Sequence, residues 1–267
     1  MTLETIALIQ FTPSLGPAND GTLQRLCEQL RSAASSDVDL LICPELTTTG
    51  YSIFDDIAAC AEPIPGPTTQ AIGTVAGETN THVLFGMAVD TATDVYNSAM
   101  WIDRTGSVAA RYDKRNLWGD ERNAFTPGDD ALVVDCEDRQ VGVQICYDLN
   151  FPRLSAVFAR TEIDILANIS AWSAPMANDW NRLLPARAIE NGAYVVGCNR
   201  TGIEADTKFY GHSTVYEPDG TVANRLSDKP GILVGHIQEE LLTNERSRNP
   251  MREDRQSDRP GVQSVSI

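Results

Sequence analysis

VGVQICYDLNFPRL, residues 141–154, passes from strand to turn to helix start without interruption. Val141 to Ile145 is an apolar, β-branched run of strand length. The run ends at Cys146-Tyr147-Asp148 and turns through Asn150-Phe151-Pro152 into PRLSAVFART, with proline near the first helical position, where a helix tolerates it. A buried strand that turns into a helix is a building unit of α/β proteins. Its end is where such folds expose reactive groups, because the sheet fixes the backbone while the turn opens a site. Cys146 stands at that point, which raises the question of what a thiol does there.

Apolar alternation and runs predict strands over residues 4–10, 37–43, 82–89, 96–103, 107–112, 131–135, 141–146, 163–169, 193–199, 211–217, 221–225 and 232–237. Helices are expected over 19–36, with Asn19 or Asp20 as N-cap, and over 66–80, 152–161 and 178–192, the last closed by Gly192. Asp103 to Gly106 and Pro218 to Gly220 read as hairpin turns. Strands joined by helices, with hairpins among them, fit a pair of mixed sheets covered by helices better than a purely parallel doubly wound sheet. One domain over residues 1–242 accounts for the pattern. Residues 243–267 are polar and nonperiodic, a tail that alone would be disordered and that a subunit interface could order.

With 267 residues, 42% of them hydrophobic, the chain can bury a full core as one large domain. The opening MTLETIALIQFTP has no basic region or cleavage site, and no window approaches the ~18 consecutive apolar residues of a membrane span, so a soluble, cytoplasmic protein is expected. The six cysteines form no C-x-x-C pair and are expected to be mostly buried thiols. A net charge of -16 argues against nucleic acid or an anionic membrane as partners, since both need phosphate neutralised by Lys and Arg. Only three lysines, Lys114, Lys208 and Lys229, stand among the 21 basic residues. That balance suits either a solvated acidic surface or adaptation to high salt.

Three strand ends carry chemistry. LLICPEL leaves Glu45 after an apolar run, ARYDKRNLWGDE leaves Lys114 after a strand, and VGVQICYD leaves Cys146. A cysteine nucleophile needs its proton removed, conventionally by histidine, but His82, His212 and His236 sit in no Cys-His motif. A carboxylate in a dry pocket can do that work as burial raises its pKa toward the thiol's, and a nearby ammonium would stabilise both thiolate and oxyanion.

At these residues the chain resembles the nitrilase superfamily of carbon-nitrogen hydrolases. LLICPELTTTGY, YDKRNLWGDERNAFTPGD and VGVQICYDLNFPRL match its glutamate, lysine and cysteine motifs in order, and RAIENGAYVVGCNRTG and FYGHSTVYEPDG follow, so the match extends from Thr5 to about Ile237. The resemblance implies an α/β fold, a four-layer α-β-β-α sandwich with two mixed β-sheets, paired into a homodimer or higher homo-oligomer. It implies Glu45 as general base, Cys146 as nucleophile forming a thioester, Lys114 as oxyanion donor assisted by the backbone N–H of Tyr147, and Glu121 as the carboxylate that orients lysine and substrate. No metal or organic cofactor is expected, and the chain has no H-E-x-x-H, paired C-x-x-C or Gly-rich phosphate loop.

Each assignment has a plainer rival. A cysteine ending a core strand is usually a small buried hydrophobe, and Cys198 in YVVGCNR, without the motif, reads that way. Lys114 could be a surface cation, yet a lysine kept at an apolar strand end in an arginine-using chain points to chemistry, since a planar fork replaces a compact ammonium poorly. Tyr51, Trp118, Tyr147 and Trp172 lie beyond the strand ends and either line the pocket or fill the core; Asn168 and Trp172 follow the next strand and face the substrate in the first case. Arg187 and Glu190, three apart on a helix, read as a structural ion pair. Cys146-Tyr147-Asp148 resembles amidase branches, whereas nitrile-cleaving members more often carry Cys-Trp-Glu. The expected substrate is therefore a small linear carboxamide. An N-carbamoyl amine, a nitrile, or a dicarboxylic monoamide held by Arg115, Arg153, Arg200 or Tyr51 stays open, as does a noncatalytic interaction protein that retains the fold.

Overall fold

Alternation along the strands sorts the core into layers in the computed structural model, which describes residues 2–16, 21–34 and 37–254. Strands are numbered β1 to β14 and helices α1 to α7 along the chain. The first sheet has the order β14 (Gly231–His236), β1 (Thr5–Gln10), β2 (Leu40–Ile42), β3 (His82–Asp90), β4 (Val95–Ile102), β5 (Val108–Asp113). The second has the order β13 (Val222–Arg225), β12 (Thr214–Tyr216), β9 (Tyr194–Asn199), β8 (Ile165–Ser170), β7 (Arg139–Ile145), β6 (Leu132–Cys136). Both are mixed: β1, β2 and β3 run parallel, as do β7, β8 and β9, and the flanking pairs are antiparallel. A short ribbon, β10 (Ile203–Glu204) with β11 (Thr207–Lys208), stands apart from both.

In the first sheet Ile6, Leu8, Leu40, Ile42, Leu84 and Trp101 join one hydrophobic cluster with the second sheet. Their neighbours Ala7, Ile9, Leu41, Val83, Phe85 and Met100 join another with helices α1 (Thr22–Ala34) and α3 (Pro67–Thr79). A side-chain period of two thus gives the central strands two buried faces, while the edge strands β14 and β5 keep exposed positions. The outer face of the second sheet is covered by α5 (Pro152–Arg160) and α6 (Ala177–Asn191), with Phe158, Trp180 and Leu184 in the core. The result is the four-layer α-β-β-α sandwich. Cys198 faces inward between the sheets, its thiol 3.1 Å from the Ile42 carbonyl, and is a core residue.

Several boundaries differ from the sequence reading. The expected strand over 211–217 is confined to β12, because Gly211 and His212 both take left-handed φ angles, 65° and 50°. The Asn19 and Asp20 caps lie outside the described residues. Four-residue helices α2 (Ile57–Cys60) and α4 (Glu121–Ala124) were not expected from periodicity, nor was α7 (Glu239–Arg248), which crosses the start of the polar tail. This last helix is tied to its own chain. Arg246 donates to the Gly192 carbonyl at 3.1 Å and to Asp164 at 2.7 Å, and Arg252 donates to the Asn191 carbonyl at 3.1 Å. Guanidinium groups thus fasten residues 243–254 to the carboxyl end of α6, where cations are favoured.

Candidate active site

Three strand ends and the first turn of α4 bring Glu45, Lys114, Cys146 and Glu121 together. Glu45 follows β2 in a turn gripped by β3: the amides of Cys43 and Thr47 donate to the carbonyls of Leu84 and Gly86 at 2.8 and 2.9 Å, and the Gly86 amide donates to Pro44 at 3.0 Å. Only glycine fits at that crossing, since a Cβ on Gly86 would come within 2.6 Å of Glu45 Cα and Leu46 N. Lys114 follows β5, its amide donating to the Asn97 carbonyl on β4 at 2.8 Å. Glu121 opens α4. Cys146 follows β7 with a left-handed φ of 47°, an uncommon conformation for a residue other than glycine.

Glu45, Lys114 and Glu121 are fully buried and form one network. Lys114 Nζ donates to Glu45 Oε1 and Glu121 Oε1, each at 2.7 Å. Glu45 Oε1 also accepts from Asn97 Nδ2 at 2.7 Å, and Oε2 from the Ala171 amide at 2.7 Å. Glu121 accepts from Tyr51 OH at 2.7 Å and, through Oε2, from the Trp118 amide at 2.8 Å. Burial alone would lower the Lys114 pKa, but the Glu121 and Glu45 carboxylates outweigh it and hold the group protonated well beyond the ordinary lysine range. Burial raises the Glu121 pKa against the opposing pull of Lys114. Burial also pushes the Cys146 thiol far up; Glu45 and Glu121 add to that rise, and Lys114 opposes it. The resting group is therefore a thiol within electrostatic reach of both carboxylates and the ammonium.

A second network sets the turn that carries the thiol. Asp148 is buried, accepts from Tyr112 OH at 2.7 Å and the Ile145 amide at 3.2 Å, and takes two bonds from Asn116 at 2.7 and 2.9 Å. It fastens the turn after β7 to the turn after Lys114. Its place beside Cys146 is a matter of anchoring.

Cys146 opens onto a cavity of about 180 Å³ walled by Tyr51, Trp118, Tyr147, Trp172 and Phe209. Ala171, Ser173, Met176 and Thr207 complete the lining. Trp118 is 44% exposed, which puts it at the rim, against Tyr147 with ring centroids 4.8 Å apart. Four of the five expected pocket residues are thus on the wall. Asn168 is not: it pairs in register with Gln144 and Gly197 on the face of the second sheet that α6 covers, and donates to Ser170 Oγ at 2.8 Å. The alternation of β8 turns it away. Arg187 and Glu190 form the expected ion pair at 2.9 Å. Asn97, Ala171, Thr207 and Phe209 were missed. Asn97 lies inside an apolar strand, and the others reach the pocket through an amide or the ribbon, none of which leaves a pattern in sequence. Among the described residues no cluster of three His, Cys, Asp or Glu side chains is arranged to hold a metal ion, and no helix is long and apolar enough to cross a membrane.

Known proteins share this arrangement of chain. The family model described as carbon-nitrogen hydrolase matches residues 5–246. A probable nitrilase of Schizosaccharomyces pombe is 29% identical over 237 residues, 85% of this chain and 86% of that protein. The 2-oxoglutaramate amidase of Bacillus subtilis is 29% identical over 260 residues, 95% of this chain and 98% of that protein. Among solved structures, XC1258 from Xanthomonas campestris, a CN-hydrolase superfamily protein with an arsenic adduct in its active site, superposes with a TM-score of 0.89 at 28% identity, covering 98% of this chain and 100% of that one.

Proposed function

Because the chain belongs to the carbon-nitrogen hydrolase family, we propose that it hydrolyses a small linear carboxamide to a carboxylic acid and ammonia, with Cys146 as nucleophile, Glu45 as general base and Lys114 as oxyanion donor. The observation that carries this reading is an ammonium held between two buried carboxylates, 2.7 Å from each, beside a buried thiol. The sequence Cys146-Tyr147-Asp148, which resembles amidase branches, favours amides over nitriles.

The raised thiol pKa sets the order of events. Cys146 does not wait as a thiolate; its proton passes to Glu45 as sulfur attacks the amide carbon. The carbonyl oxygen becomes an oxyanion, stabilised by Lys114 Nζ and the Tyr147 backbone N–H. Collapse breaks the C–N bond, Glu45 returns the proton to the leaving nitrogen, and ammonia departs from a thioester. Water then gives a proton to Glu45 and attacks the thioester; collapse breaks the C–S bond, Glu45 returns that proton to the sulfur, and the acid and the resting thiol are released. Glu121 holds Lys114 in place through both half-reactions, with Tyr51 bonded behind it.

Cys146→Ala is expected to abolish turnover, and Glu45→Gln and Lys114→Arg each to lower it by about 10²-fold or more. Near-normal activity in any of the three would overturn the triad. Intact-mass detection of a substrate-derived thioester on the wild-type protein, with ammonia released from amides and none from matched nitriles, is the direct test.

A further inference from the structure

The pocket that receives the substrate tail has no charge on its wall. None of its ten lining residues is Lys, Arg, His, Asp or Glu. At the floor, the single ammonium of Lys114 faces two carboxylates, so no surplus positive charge is present there. Behind the wall stands Arg200, whose guanidinium lies 4.0 Å from the Phe209 ring centroid, while Lys208, between the lining residues Thr207 and Phe209, is exposed and paired with Asp228. It is fully buried and ion-paired with Glu204, and that carboxylate also accepts from the Tyr51 amide at 2.6 Å. The charge of Arg200 is offset within the scaffold. Arg115 and Arg153 line a separate groove with Phe151 and Val157, and the cavity bounded by Arg115 and Arg122 shares only Tyr147 with the pocket.

A carboxylate buried without a counter-ion is strongly disfavoured, whereas a methyl or carbonyl tail would lie against five aromatic rings. Resting on the amidase reading above, we infer that this site selects short amides with an uncharged tail and rejects the monoamides of dicarboxylic acids. The volume of about 180 Å³ falls below the ~300–1,000 Å³ of pockets for drug-sized ligands and limits the tail to a few heavy atoms.

The test compares succinamate with 4-oxopentanamide, which replaces the carboxylate oxygen by a methyl at nearly equal size. In 1 M salt, where a screening length of about 3 Å suppresses the field of the whole acidic molecule, kcat/KM is expected to favour the neutral amide by about 10²-fold or more. Equal rates, or preference for succinamate, would overturn the inference. A second measurement is independent of turnover: alkylation of Cys146 by iodoacetamide and by iodoacetate, each normalised to glutathione under the same conditions. The neutral reagent is expected to lead by at least about 10-fold at Cys146, on the same unpaired-charge argument. A normalised ratio near one would sink the inference even if the protein proves an amidase. Absence of ammonia from every amide, with the alkylation ratio still high, would remove the amidase reading and leave the charge selection of the pocket standing.

Discussion

The conformation of Cys146 has an energetic signature that can be read apart from chemistry. A left-handed φ of 47° costs a residue with a Cβ about 1–2 kcal/mol, and the four bonds to Asp148 help hold the turn in that state. Two variants that both lack the thiol separate strain from function: Cys146→Gly is expected to be more stable to denaturant than Cys146→Ala, by about 1 kcal/mol, although glycine is ordinarily the less stable choice. Equal midpoints would show an unstrained turn. Much of the site was legible because its reactive residues sit at strand ends, where an apolar run stops at a single polar group. Asn97 was not, since a buried asparagine within a strand looks like any tolerated polar residue until its partner, Glu45, is placed beside it. Asp148 was legible as a motif residue but not as an anchor, because its partners Tyr112 and Asn116 come from a different strand and turn.

At the scale of elements, β3 acts as a template for the turn that carries Glu45. Gly86 lets it cross the Glu45 turn in contact, so Gly86→Ala is expected to destabilise the protein by about 1–3 kcal/mol and to lower kcat as the turn is displaced. Chemical denaturation and turnover measured on the same sample check this; wild-type values for both would mean that the turn does not depend on the crossing. The long strands and the helices with a repeating apolar face could be read from sequence because each buries enough side chains to leave a period. Helices α2 and α4 are a single turn each, and the ribbon carrying Glu204 and Thr207 has two residues per strand, too short for any period. Helix α7 buries only Leu242 and Glu245 and is fixed by guanidinium bonds to backbone carbonyls from Arg246 within it and Arg252 just beyond it, an interaction that composition does not reveal.

The whole molecule carries 37 acidic residues against 21 basic ones, and its self-repulsion is a term that salt can tune. The melting temperature is expected to rise from low salt to molar salt, most steeply while screening is still incomplete. A constant melting temperature across that range would rule out salt adaptation as the reason for the acidic composition. Topology adds a different kind of consequence. Thr5 on β1 and His236 on β14 are partners in one ladder, yet lie 231 residues apart along the chain. During synthesis on the ribosome, β1 therefore emerges with one side of its ladder open and keeps it open until β14, more than two hundred residues later, has left the tunnel. For that interval it is an edge on which another nascent chain could pair, so assembly depends on finishing the last strand promptly.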